Sequence, residues 1–125
     1  MNKEVFYSDL KKINECSFIR YVLGGETTIC LHLVAIVKLE EIHTDHIDNI
    51  NGQLFKLIFH NITNLKIEGK EADNYLLLES KIEKDYIYLK YKGSNYIGSN
   101  STLVISFNYK QFEVVDCGLI SGAEA

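Results

Sequence analysis

The sequence predicts a mainly β protein: an antiparallel β-sandwich or strongly curved sheet of seven or eight strands with a short N-terminal helix. Three observations carry that expectation. Several stretches alternate apolar and polar residues with period two, which puts successive side chains on opposite faces of a sheet. Turn signals recur about every ten residues, the rhythm of sandwiches and barrels. No stretch between the strands has a helical pattern long enough for the crossovers of a parallel sheet. At 125 residues, 46% hydrophobic and 24% charged, the chain is too apolar for disorder, too interrupted by charge for a membrane span, and sized for one domain over 1–125.

The elements follow in order. Near the start, Ser8 or Asp9 caps a short turn carrying Leu10 and Ile13, with Val5 and Phe6 as an apolar entry. Residues 17–23 and 27–39 form a hairpin around Gly24-Gly25-Glu26, where glycine supplies the positive φ of a tight reversal. In its second strand Ile29, Leu31, Leu33, Ala35, Val37 and Leu39 share one apolar face. Residues 40–52 (EEIHTDHIDNING) break the alternation and form the longest loop. Residues 53–60 are a strand with Phe55, Leu57 and Phe59 on one face, and 65–68 continue it across a kink at 61–64. Residues 75–83 and 86–91 form a second hairpin around Lys84-Asp85; 93–100 are a Gly- and Asn-rich break; 103–107 and 111–117 form a third.

Seventeen acidic against thirteen basic residues give a formal charge of -4, with the bases scattered and Arg20 the single arginine. Nucleic acid is excluded as a partner, because phosphate binding needs clustered Lys and Arg. Cys16, Cys30 and Cys117 are odd in number and lack C-x-x-C spacing, so neither a disulfide framework nor a zinc ribbon is indicated. The first residues lack the apolar core and cleavage site of a secretory signal, and the longest apolar run, 31–37, is too short to span a bilayer. The expected location is the cytoplasm, without membrane association.

The densest polar cluster is His43, Asp45, His46 and Asp48, residue types that ligate divalent metals, with His60 the distant histidine that would join them in a small metal-dependent enzyme or ligand-binding protein. The plainer reading is a solvated loop whose aspartates bond to backbone amides, since a loop must order every ligand at once. Cys30 and His32 lie two apart on one strand, roughly 7 Å from each other, too far for a nucleophile pair without side-chain reach. No G-x-S-x-G elbow and no phosphate-binding glycine loop occurs. Tyr86, Tyr88 and Lys90 share one strand face, opposite Ile87, Leu89 and Tyr91. Such tyrosines serve either cross-strand packing or a binding patch.

The hairpin SFIRYVLGGETTICLHLV, then LFKLIFHNITNLKI, then YLLLES and YIYLKY with a closing strand, resembles the small β-rich bacterial immunity proteins of polymorphic-toxin systems. The likeness spans about residues 16–117, and Phe59-His60-Asn61-Ile62 is nearest to that group's central F-x-N-[VI] segment. The resemblance implies a protein that binds and neutralises a cognate toxin, without catalysis or cofactor. The expected contacts are Glu40, Glu41, Asp45 and Asp48 of the loop with Tyr86 and Tyr88. A homo-oligomeric structural protein pairing an exposed sheet edge is the remaining alternative.

Overall fold

A computed structural model describes residues 2–36, 52–95 and 98–120. Over these described residues the chain runs through a short helix α1 (Glu4–Ser8), a 3₁₀ turn (Leu10–Glu15) and eight strands: β1 (Cys16–Leu23), β2 (Thr28–Ile36), β3 (Gly52–His60), β4 (Thr63–Gly69), β5 (Asn74–Ile82), β6 (Tyr86–Ser94), β7 (Asn100–Asn108) and β8 (Gln111–Ile120). They form two antiparallel four-stranded sheets, ordered β1-β2-β3-β8 in the first and β4-β7-β6-β5 in the second. The sandwich expected from the alternation is therefore present.

The inner faces are those the alternation selects. Ile29, Leu31, Leu33 and Ala35 of β2, Phe55, Leu57 and Phe59 of β3, and Ile87, Leu89 and Tyr91 of β6 are all buried in one continuous cluster. Aromatic rings lock the sheets together. Phe18 of β1 stacks on Tyr91 at 4.7 Å and meets Tyr75 of β5 edge-on at 4.9 Å, while Phe59 of β3 meets Phe107 of β7 at 5.0 Å. The N-terminal segment closes the core from one side, burying Phe6 against Phe55 at 5.0 Å together with Ile13. Asp9 caps the 3₁₀ turn by accepting from the Lys11 amide. Val5 and Phe6 lie inside α1, so the helical segment begins earlier than the capping signal suggested.

Two connections differ from those expected. Residues 65–68 do not continue β3; at Asn61 and Asn64, with φ of 54° and 55°, the chain leaves the first sheet, and β4 pairs with β7 in the second. Likewise β7 and β8 are not a hairpin, because Tyr109-Lys110 carries the chain back to the first sheet, where β8 pairs with β3. The reason is competition for edges, since β6 and β4 already occupy both sides of β7. The 93–100 break is also shorter than expected: Gly93 and Ser94 extend β6 and Asn100 opens β7. Of the loop at 40–52, only Gly52 falls among the described residues, as the first residue of β3.

Every edge strand carries an extra residue relative to its partner: Ile19 in β1, one at 64–65 in β4, Leu78 in β5, and one at 117–118 in β8. The interior pairs β2–β3 and β6–β7 run in unbroken register. In β8 the bulge is braced by Asp116, whose carboxylate accepts from the Gly118 amide at 2.9 Å and from Gln53 Nε2 at 2.8 Å. That edge is also covered by α1, because the Val114 amide donates to the Tyr7 hydroxyl at 2.8 Å. No helix among the described residues is long and apolar enough to cross a membrane.

Candidate functional site

The unbroken register of β6 and β7 fixes what the outer face of the second sheet presents. Tyr86 and Tyr88 both point outward, half-buried by their neighbours. One row across the sheet reads Lys81, Tyr88, Ser106, Lys66; the next reads Glu79, Lys90, Val104, Glu68. Tyr88 thus lies beside a serine that is itself buried (7% exposed), with an ammonium group at either end of its row. Lys66 and Glu68 pair at 3.3 Å, but both are exposed, and such a pair adds little stability. Leu76 and Leu78 of β5 are 63% and 51% exposed, and Leu78 is the extra residue of the β5 bulge. The face therefore offers two rigid aromatic groups and two solvent-facing leucines among charges of both signs.

The other expected contacts, Glu40, Glu41, Asp45 and Asp48, lie outside the described residues, as do His43 and His46. His60, the distant member of the metal set, ends β3 with Nε2 donating to Glu113 Oε1 of β8 at 2.9 Å. Among the described residues no three of His, Cys, Asp and Glu come together to hold a metal ion.

Cys30 and His32 share the outer face of the first sheet, and their surroundings favour neither a thiolate nor an imidazolium. Burial raises the Cys30 thiol pKa, the Lys56 charge opposing this only in part. Cys16, in the core, is pushed up to about 12 by burial. Both shifts oppose nucleophilic character. His32 sits in a cross-strand row with Arg20 of β1 and Lys56 of β3. Its Nδ1 is 3.2 Å from Arg20 Nη1; a guanidinium can only donate, so Nδ1 accepts and the ring proton of the neutral form lies on Nε2. Burial lowers the His32 pKa first, and Lys56 and Arg20 lower it further.

A histidine depressed in the folded state binds its proton more readily when unfolded. The stability this group contributes is complete above the ordinary imidazole value of about 6.5 and is lost as pH falls towards the lower folded value. An NMR titration of the His32 ring should give a midpoint below about 6.5, and Lys56→Gln should move it upward. A midpoint at or above that value would contradict the arrangement.

One further region carries no motif in the sequence: the β3–β4, β5–β6 and β7–β8 connections converge at one end of the sandwich. The Tyr109 amide donates to Asp85 O at 3.0 Å and the Lys110 amide to His60 O at 3.3 Å. The signals were present as apolar residues inside apparent turns: Ile62 and Tyr109 are 5% and 6% exposed. Searches against protein-family models, curated proteins and solved structures found no match to this chain.

Proposed function

We propose that the chain is a non-enzymatic protein-binding module that engages its partner through the outer face of the second sheet, and that the partner is a toxin domain which the chain neutralises in the cytoplasm. The observation that carries the binding reading is the position of Tyr86 and Tyr88, half-buried on an interior strand in unbroken register with β7. Tyrosine contributes large contact area for few rotatable bonds, and a strand already fixed on both sides removes most of the ordering cost of association. The alternating charges of the two adjacent rows give a partner a defined orientation. The toxin identity rests on the immunity-protein resemblance. The bulges on all four edge strands work against strand addition, which favours a face over an edge and weighs against a homo-oligomer built by edge pairing.

The test is to read the gene immediately upstream and, where it encodes a toxin domain, to titrate the purified chain with that domain by calorimetry; an upstream gene that encodes no toxin domain would overturn the toxin assignment. Stoichiometric binding is expected. The double variant Tyr86→Ala/Tyr88→Ala should bind at least ~100-fold more weakly, two central anchors at about 2 kcal/mol or less apiece being sufficient. Its circular dichroism spectrum should be unchanged. Failure of the wild type to bind that domain would overturn the toxin assignment, and equal affinity of the variant would overturn the face.

A further inference from the structure

The three connections that meet at one end of the sandwich border an open crevice of about 420 Å³, lined among others by the exposed Asn61, Thr63, Lys84, Asp85 and Lys110. That volume falls in the range of small-molecule sites, roughly 300–1,000 Å³. Its walls come from three separate connections and from the adjoining ends of β4 and β7 in the second sheet, yet they are tied to one another. Besides the two backbone bonds from Tyr109 and Lys110, the Tyr109 hydroxyl donates to Glu83 O at 3.2 Å and Asn108 Nδ2 donates to Asp85 O at 3.4 Å. Asn64 Nδ2 in turn donates to Asn108 Oδ1 at 3.1 Å, so Asn108 is committed to holding the walls. A recess held in this way exists before any ligand arrives, and binding there carries little reorganisation cost.

Its chemistry is asymmetric. Lys84 and Lys110 bring two ammonium groups, and neither forms an ion pair among the described residues. Asp85 brings one carboxylate, which leaves an excess of one positive charge in a chain whose overall charge is -4. Thr63 and Asn61 add neutral donors at the rim. We propose that this crevice is a binding site for a small carboxylate that also carries a hydrogen-bond donor, the class of amino acids and hydroxy acids. Lys84 and Lys110 take the carboxylate in charge-assisted hydrogen bonds, and Asp85 accepts from the ammonium or hydroxyl group. A bare dianion is disfavoured because it would face the Asp85 carboxylate, and a bare cation because it would face two lysines.

The experiment is a ¹H–¹⁵N NMR titration of the full chain with L-serine as the probe, and with sodium acetate and ethanolamine as comparators. L-Serine should give saturable shifts at the amides of Asn61, Thr63, Lys84, Asp85 and Lys110, with acetate weaker and ethanolamine without effect. In Lys84→Glu/Lys110→Glu the apparent affinity for L-serine should fall at least ~10-fold, while peaks from the core strands stay in place. In Asp85→Asn L-serine should weaken towards acetate. Shifts that do not saturate, that sodium chloride reproduces, or that persist in the double lysine variant would overturn the site. Equal affinity for serine and acetate in the wild type would overturn the role of Asp85.

Discussion

Phe59→Ala should lower the stability of the fold by about 3–5 kcal/mol, the usual cost of emptying a large aromatic site in a packed core. Phe59 is fully buried at the centre of a ring cluster, with centroids 5.0 Å from Phe107, 5.0 Å from Tyr109 and 5.7 Å from Phe112. Phe107 belongs to the opposite sheet, and Tyr109 to the connection that returns the chain from one sheet to the other. The substitution therefore removes packing between the layers and beneath the crevice at once. For a chain of this size the melting temperature should fall by roughly 10–20 °C. Phe112→Ala, at a half-exposed site in an edge strand, is the control, and its loss should be clearly smaller. Thermal unfolding followed by circular dichroism measures both, and an equal loss at the two positions would contradict the placement of Phe59.

Gly69→Ala should be nearly as damaging, by a different route. Gly69 ends β4 with φ of 112°, and a Cβ there would lie 1.8 Å from the carbonyl oxygen of Thr102 on β7. The obstacle is main chain on an interior strand, so relief requires β4 to separate from β7. Strain at such a φ costs about 1–3 kcal/mol, and the collision should bring the total to about 2–4 kcal/mol. Gly25→Ala isolates the conformational part: φ there is 73°, but nothing lies within 4 Å of the added Cβ. It should cost only about 1–2 kcal/mol. If denaturant titrations gave the two variants the same loss, the close approach of β4 to β7 would be wrong.

The faces of the strands were readable because burial follows a period of two whatever the partner. Among the described residues the inward sets of β2, β3 and β6 are those alternation names, and with them the outward placement of Tyr86 and Tyr88; Val37 and Leu39 of the β2 set lie outside the described residues. Partnership is a different matter. A two-residue link such as Tyr109-Lys110 serves equally well to fold a strand back on its neighbour or to carry it across to the facing sheet, and alternation does not distinguish the two. The distinguishing signal is burial at the link itself: a hairpin tip faces solvent, whereas Tyr109 at 6% and Ile62 at 5% exposure plug the end of the core. The crevice was illegible for a further reason. Asn61, Lys84 and Lys110 come from links more than twenty residues apart, and they meet only because both crossings occur at the same end. Charge gave an incomplete picture too, since a net value of -4 does not reveal the local row of Arg20, His32 and Lys56.

The extra residue in each outermost strand also bears on how the chain would respond to loss of material. Removing a residue is ordinarily a defect and nothing more. Removing Leu78 would straighten β5 into a flush ladder of unsatisfied amides and carbonyls beside the exposed Leu76, which is the kind of flank that templates the addition of further chains into a fibril. These single residues thus act as spacers that keep crowded copies from joining, and shortening the sequence there would gain a growth point.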